Sequence, residues 1–338
     1  MTAAEKTAVW LDKLNFRIPE KTTANLWRDD IVPPFIKHDA QDALARLYTR
    51  TLPFLQQNSP AELIADALSS YLSKLDLETS KWSIIDFGSG QGGPIPIIEK
   101  IINHGRDSPI PFILTDLHPN LDVWMELATR SRALSFIPQP VDAANPRYAA
   151  ISTTTRGDRQ AALRAGFESN GRKVFRLFSE SFHRFDDEYA IEVLKSTLET
   201  ADAFAVVELQ ERRLFALVGV LLETYLFLLL GWLWFWEDKV HLALIYLIPV
   251  LPVMQSLDGF VRCFRTRTFG DMITLVEQAF GTRYVVDREG SDGAVQINGW
   301  EFRHHRVRHT WPFGYINVVV GTSLWSLDKA NLAVSSRR

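Results

Sequence analysis

The sequence has little cysteine and little net charge. Its 338 residues include one cysteine, Cys263, so no disulfide can form within the chain, and a reducing compartment suits it. The formal net charge of −3 provides no positive excess for binding nucleic acid. The sequence has no Asn-x-Ser/Thr acceptor, and its first thirty residues contain no apolar signal core. We therefore expect the bulk of the chain in the cytosol and no nucleic-acid partner.

A dense glycine cluster stands out against this background. Residues 82–93 read WSIIDFGSGQGG, in which a short apolar run meets an acid and then four glycines. An apolar segment that begins at Pro94 can continue as a helix, so the pattern predicts a buried strand, a tight turn and a helix start. Glycines are needed in such a turn for backbone angles closed to other residues, and for close approach of a ligand.

The glycine cluster resembles the cofactor-binding motif of class I S-adenosylmethionine (SAM)-dependent methyltransferases. That motif, Asp-x-Gly-x-Gly-x-Gly, is matched by Asp86, Gly88, Gly90 and Gly92. The resemblance implies SAM as the cofactor, held by these four residues and Ser89.

A dinucleotide fingerprint competes with this interpretation. Gly88, Gly90 and Gly93 also satisfy Gly-x-Gly-x-x-Gly, so a nicotinamide-dependent oxidoreductase is an alternative. The preceding acid separates the two, because a carboxylate repels a pyrophosphate but attracts the ammonium of SAM. Asp86 therefore favours SAM, and a glycine turn without any ligand is the remaining interpretation.

Two further acids follow predicted strands. Asp116 ends the second strand, thirty residues beyond Asp86, where an acid can accept hydrogen bonds from both ribose hydroxyls, as the resembled family does. A turn or helix-capping role before Pro119 is the alternative. Asp142 follows a third short strand, and the resemblance implies that it binds the adenine amino group. A turn before Pro146 explains Asp142 equally well.

The predicted exits of strands four and five carry the catalytic candidates. Residues 173–178 form strand four, and residues 179–183 resemble the Phe-His segment that ends this strand in many small-molecule methyltransferases. His183 has the reference pKa of a general base, and a pocket-lining or capping role is its alternative. Glu208, at the end of strand five, is the second candidate, and Asp258 is the third.

A histidine cluster near the C-terminus does not predict a metal site. On a strand, His305 and His309 share one face while His304 points away. Interleaved arginines repel a cation, so we expect a solvated strand face and no metal.

The second unusual stretch is apolar. Residues 214–236 contain one charge, Glu223, and as a helix span about 34 Å, enough to cross the hydrocarbon of a bilayer. Residues 240–254 form a shorter apolar limb interrupted by prolines. A membrane-embedded hairpin, a shallow or re-entrant hairpin and a soluble lid over an oily substrate all remain open. Glu223 is costly in lipid if ionised, so we expect it to be protonated, paired or protein-facing.

Arginines flank both ends of this hairpin, and the corner lacks them. This asymmetry predicts that both ends face the cytosol. The arginines are Arg212, Arg213, Arg262, Arg265 and Arg267.

Together these features predict an α/β protein with a doubly wound, Rossmann-like, seven-stranded sheet. We expect an N-terminal helical cap (1–80), the first part of the SAM-binding core (81–213), the hydrophobic hairpin (214–261) and the end of the core with a C-terminal strand pair (262–338).

The expected function is SAM-dependent methylation, on oxygen, of a lipophilic small molecule such as a secondary metabolite or lipid. The expected location is an intracellular membrane, with the catalytic domain facing the cytosol. Alternatives are the nicotinamide-dependent oxidoreductase and a SAM-binding protein of similar fold with a cyclase or scaffold role. The sequence sets no oligomeric state.

Overall fold

The computed structural model describes residues 48–51, 56–75, 82–146, 173–281, 286–289, 293–311 and 314–324. Most of the predicted N-terminal helical cap lies outside these residues. The chain divides into two compact units. Unit 1 takes the described residues of Met1–Pro60, Leu209–Thr268 and Arg308–Ile316, and unit 2 takes those of Ala61–Glu208, Phe269–Val307 and Asn317–Arg338.

A nine-stranded sheet forms the framework of the fold, in the order β3-β2-β1-β4-β5-β9-β8-β7-β6. The first five strands in this order, β3, β2, β1, β4 and β5, pair in parallel, and β9 pairs with β5 in the antiparallel direction. The strands are β1 Trp82–Phe87, β2 Phe112–Thr115, β3 Leu134–Phe136, β4 Lys173–Ser179, β5 Ala203–Glu208, β6 Val286–Glu289, β7 Val295–Ile297, β8 Trp300–Thr310 and β9 Gly314–Ser323.

This order confirms the predicted α/β class with a C-terminal strand pair, but the predicted count of seven strands was wrong. The two extra strands, β6 and β7, are four and three residues long and extend the sheet beyond β8. Asn298 and Gly299 join β7 to β8 with positive φ angles of 47° and 76°. Asn-Gly between two strands is a strong hairpin signal, so the sequence did contain the information.

Helices follow most of the parallel strands. They are α1 Pro60–Leu72, α2 Ile95–Ile102, α3 Leu121–Arg130, α4 Asp187–Thr200, α5 Leu214–Trp234, α6 Lys239–Leu242, α7 Val250–Arg265 and α8 Phe269–Phe280. Asp186 caps α4 by accepting a hydrogen bond from the Tyr189 N–H at 2.7 Å. This cap directs the chain from the end of β4 into the helix.

The core lies on both faces of the sheet. All six residues of β1 are buried, and because successive side chains of a strand point to opposite faces, both faces are covered. On one face, Ile85 and Phe87 pack in a cluster with Leu194 of α4 and Val276 of α8. Burial of β1 on both sides fixes its carboxyl end, where the glycine turn begins.

The predicted apolar hairpin belongs to unit 1 and is a helix pair. Helix α5 packs against α7, and an added Cβ at Gly259 of α7 would lie 2.7 Å from Val220 of α5. The second limb is bent by 72° between Lys239–Leu247 and Val250–Arg265, because Pro249 ends the first part. Helix α7 also continues to Arg265, four residues beyond the predicted end of the insertion.

Much of the surface of this helix pair is apolar. Among the described residues, one helix, Leu214–Leu233, is long and apolar enough to cross a membrane, and 28% of that stretch is buried. The two bent parts of the second limb meet the same criterion only when they are combined. The large exposed apolar residues include Leu221, Tyr225, Leu229, Trp232, Leu233, Trp236, Leu247 and Ile248.

The junction of β5 and β9 supplies a test of the fold. Phe204 lies directly opposite Gly321, and an added Cβ at Gly321 would lie 2.2 Å from the Phe204 ring. We expect Gly321→Ala to lower the free energy of unfolding by about 1–3 kcal/mol through overpacking. Thermal unfolding measures the effect. Gly219→Ala is the control, since that helical position has no described atom within 4 Å. Equal unfolding midpoints for the two variants would contradict the assigned register.

Candidate cofactor and catalytic site

The glycine turn begins where β1 ends, and its tight packing explains two of its glycines. Gly88 has φ +75°, and an added Cβ would lie 2.7 Å from Ser181 Cβ. Gly92 has φ +91°, and an added Cβ would lie 2.5 Å from Leu127. Both positions therefore exclude larger residues by backbone angle and by space. The opposite side of the turn is open, since an added Cβ at Gly90 or Gly93 would meet no described atom within 4 Å.

Asp86 is buried beneath this turn. Its carboxylate accepts a hydrogen bond from the Ser179 N–H of β4 at 3.3 Å, and its carbonyl accepts one from Thr115 Oγ1 of β2 at 2.7 Å. Ser89 Oγ donates to the same carbonyl at 3.0 Å. Burial raises the pKa of the Asp86 carboxyl to about 8. Asp86 and Ser89 therefore connect the ends of β1, β2 and β4 and hold the turn in place.

Asp116 lies beside the turn, as its predicted role requires. Its Oδ2 accepts the Gly90 N–H and its Oδ1 accepts the His118 N–H, each at 2.8 Å. Trp124 Nε1 donates to the Gly90 carbonyl at 2.9 Å, which holds the turn from another side. Each carboxylate oxygen has two lone pairs, so Asp116 retains capacity to accept hydrogen bonds from ribose hydroxyls.

Asp142 forms the turn that is one of the two interpretations made for it. Its Oδ1 accepts the Ala144 N–H at 2.9 Å, which forms a side-chain turn, and also the Tyr189 hydroxyl at 2.6 Å. The turn alternative is therefore part of its role. Burial and the Asp142 carboxylate raise the pKa of Tyr189 above its usual range, so the hydroxyl keeps its proton and donates.

His183 and Glu208, predicted as separate candidates, form a buried pair. After β4, Ser181 leads into a 3-10 turn, Phe182–Arg184, that carries His183. Glu208 Oε2 lies 2.7 Å from His183 Nδ1, and Glu208 Oε1 accepts the His183 backbone N–H at 2.8 Å. A carboxylate can only accept, so Nδ1 carries the proton and Nε2 is the nitrogen that can receive one. Glu208 therefore positions His183.

Ser181 connects the glycine turn to the His183 turn. Its Oγ donates to the Phe87 carbonyl at 2.7 Å, directly before Gly88. Glu180 precedes it with φ +57°, an angle unusual for a residue with a side chain, and such strain concentrates at functional sites. These hydrogen bonds and the strain at Glu180 depend on tertiary contacts, so the sequence patterns did not identify Ser181, Trp124 or Tyr189.

The third catalytic candidate, Asp258, lies in unit 1. Its Oδ2 is 2.7 Å from Arg262 Nε on the next turn of α7, and it lines a cavity of that unit. The structure thus gives Asp258 an ion-pair partner on its own helix, whereas His183 and Glu208 belong to unit 2.

The three histidines of β8 have different surroundings. His304 stacks on Phe269, and His305 packs edge-on against Tyr71. His309 is buried, which lowers its pKa to about 4. Within the described residues, no group of three or more His, Cys, Asp or Glu side chains is arranged to hold a metal ion.

Comparison with known proteins yields structural matches alone. No protein-family model matches the chain, and the search of curated proteins found no match. The structure is similar to LepI in complex with SAM at 14% identity and a TM-score of 0.38, over 75% of this chain and 46% of LepI. It is similar to magnesium protoporphyrin IX methyltransferase from Synechocystis PCC 6803 with bound SAM at 10% identity and a TM-score of 0.41, over 89% of this chain and 100% of that protein. A third match is the citrinin polyketide synthase CMeT domain, at 10% identity and a TM-score of 0.43, over 83% and 56% of the two chains.

The chain therefore spans less than half the length of LepI and somewhat more than half of the CMeT domain structure. Two of these three structures hold SAM. The open side of the turn at Gly90 and Gly93 leaves room for a ligand, and Asp116 beside it can accept further hydrogen bonds.

Asp116 supplies the test of cofactor binding. We expect the unsubstituted protein to bind SAM and its demethylated product but not NAD(P), and Asp116→Ala to weaken SAM binding by about 1–3 kcal/mol through loss of ribose hydrogen bonds. Calorimetry with each ligand measures both effects. Asp122→Ala, an exposed acid in the first turn of α3, is the matched control and should bind normally. Tight NAD(P) binding without SAM binding would overturn the assignment.

Proposed function

We propose that the protein is a SAM-dependent methyltransferase that methylates an oxygen of a lipophilic small molecule at an intracellular membrane. The observation that carries the proposal is the contact between two turns at the carboxyl ends of the parallel strands. Gly88 of the glycine turn packs against Ser181, two residues before His183. Ligands of open α/β sheets bind at this edge, so a cofactor cradle and a candidate base are adjacent there.

The chemistry requires few groups from the protein. Bound SAM supplies a methyl group on a sulfonium, which is already activated for displacement. The protein aligns the acceptor with the cofactor at the glycine turn and receives the acceptor's proton. His183 Nε2 is the proton acceptor in this proposal, because Glu208 fixes the proton on Nδ1. The developing imidazolium is stabilised by the same carboxylate, 2.7 Å away.

The apolar helix pair supports the membrane part of the proposal. Leu221, Leu229 and Leu233 are each more than half exposed along α5, and Leu247 is 79% exposed beyond the corner. An apolar surface of this extent is unfavourable in water. Insertion of the pair into a membrane removes this surface from water and places a lipophilic acceptor within reach of the chain.

The single acidic residue of the run is consistent with insertion. Glu223 lines the cavity of unit 1 rather than the apolar surface, as the protein-facing alternative for this residue requires. Tyr246 closes the helix pair at its far end by donating to the Leu228 carbonyl at 2.6 Å and accepting the Trp232 N–H at 2.9 Å. These bonds satisfy backbone groups that lipid cannot.

The flanking arginines give weaker support for membrane orientation than their sequence positions suggest. Arg262, Arg265 and Arg267 are buried, and Arg262 pairs with Asp258. Arg213 lies 3.4 Å from Glu211. Because these cations contact the protein's own groups, they carry less weight for the cytosolic orientation in the proposal.

His183 supplies the test of catalysis. We expect His183→Ala to lower turnover about a hundredfold or more while SAM affinity stays unchanged, since a general base acts on the acceptor's proton. Transfer of labelled methyl groups from SAM into a lipid extract measures turnover, and calorimetry measures affinity. The exposed His104→Ala is the matched control. Normal turnover by His183→Ala would exclude this residue as the base.

Glu208→Gln should move the acidic limb of the pH–rate profile to lower pH, because the carboxylate no longer favours the imidazolium of His183.

The exposed face of α5 supplies the test of membrane insertion. We expect the protein to remain in the pellet after alkaline carbonate washing, and Leu221→Arg with Leu229→Arg to release it, because two cations in hydrocarbon cost several kcal/mol. Both leucines are exposed, so the substitutions leave the packing of the pair intact. Met125→Arg, on an exposed apolar residue of α3, is the control and should stay in the pellet. An unsubstituted protein that is monomeric and soluble without detergent would favour the lid.

A further inference from the structure

Unit 1 contains a cavity that shares no residue with the proposed cofactor site. It lies between α5, α7 and the chain at Leu209–Gln210, and has a volume of about 60 Å³, room for a small chemical group. Part of its wall is apolar, formed by Leu209 and Val220. The remainder carries polar side chains of several kinds, so a ligand here would meet both types of surface.

Several of the polar groups are already paired with each other. Arg262 Nε lies 2.7 Å from Asp258 Oδ2, and another guanidinium nitrogen of Arg262 donates to the Tyr48 hydroxyl. His309 Nε2 lies 3.3 Å from the Leu209 carbonyl, and burial lowers the pKa of His309 to about 4, so this ring is neutral. The ion pair and the neutral histidine together contribute no net charge.

Two side chains of the cavity lack such partners. Within the described part of the chain, the Glu223 carboxyl and the Gln255 amide make no hydrogen bond to protein, although both line the cavity. They face it from α5 and α7 at the same level, because their neighbours Thr224 and Ser256 are joined by a 2.9 Å hydrogen bond across the helix pair. Both side chains are half-buried, so a ligand that enters the cavity can hydrogen-bond to both of them.

We propose that this cavity binds the ammonium group of an aliphatic amine, with the alkyl chain against the apolar wall. The Glu223 carboxylate and the Gln255 carbonyl oxygen are both acceptors, and an ammonium carries three N–H donors and no acceptor. The ligand also supplies the positive charge that Glu223 lacks, and such charge-assisted hydrogen bonds are about twice as strong as neutral ones.

An amine differs from other amphiphiles in the charge and the number of donors that it brings to the cavity. A carboxylic acid brings a second negative charge beside Glu223, which is repulsive at this distance. An alcohol brings one donor and no charge, so it satisfies at most one of the two acceptors. The ranking amine, then alcohol, then acid follows from the side chains of the cavity and does not depend on methyl transfer.

Three water-soluble probes of equal chain length test the proposal. Hexylamine, hexan-1-ol and hexanoic acid are titrated at pH 7 into the full-length protein in a non-ionic detergent, and binding is followed by calorimetry. We expect hexylamine to bind at least about tenfold more tightly than hexan-1-ol, and hexanoic acid not to bind. Equal affinities for the three probes, or no binding of hexylamine, would overturn the proposal without bearing on SAM binding.

Two variants assign the effect to the cavity. We expect Glu223→Gln to weaken hexylamine binding about tenfold, and Gln255→Leu to weaken it by a smaller factor, because one loses a charged acceptor and the other a neutral one. Glu237→Gln, at the exposed corner of the helix pair, is the matched control and should bind hexylamine normally. Unchanged binding in folded Glu223→Gln would overturn the proposal. If thermal unfolding shows that this variant does not fold, unchanged binding in Gln255→Leu would overturn it instead.

Discussion

The candidate site depends on the buried carboxyl of Asp86. This residue ends the fully buried strand β1, and its carboxylate and carbonyl receive hydrogen bonds from Ser179 of β4 and Thr115 of β2. Three parallel strands are thereby aligned at one edge, and the glycine turn leaves the sheet at that point. A buried carboxyl favours its neutral form, which is why its pKa rises to about 8. The structure of this sheet edge therefore depends on the Asp86 carboxyl, and a cation bound nearby can change the charge of that carboxyl.

The same edge positions the candidate base. Ser181 joins the glycine turn to the turn that carries His183, and Glu208 at the end of β5 holds both the backbone and the ring of His183. Four parallel strands thus each contribute a group near one place, as the topology of an open α/β sheet allows. In unit 1, Glu223 lines the cavity, so the only acidic residue of α5 does not interrupt the apolar surface of that helix.

Periodicity and motif spacing predicted the parallel strands, the glycine turn and the apolar helix, because these features repeat locally along the chain. Asp116 was predicted at the end of the second strand, and it lies beside the turn because strand ends meet at one edge of a parallel sheet. The His183–Glu208 pair was not predicted, because it joins residues 25 positions apart through tertiary packing. Burial of Arg262 and Arg265 was also missed, since arginines near an apolar run are typical of a membrane boundary and only the fold shows their partners.

We expect the sheet edge that Asp86 organises to receive the positively charged cofactor. Calorimetric titration of SAM at pH 7, repeated in buffers of different ionisation enthalpy, tests it directly. Because the pKa of Asp86 is about 8 without ligand, the carboxyl is largely protonated at pH 7, and a nearby cation favours its ionised form. We therefore expect SAM binding to release up to one proton, and Asp86→Asn to abolish this release. A binding heat that is the same in every buffer for the unsubstituted protein would contradict it.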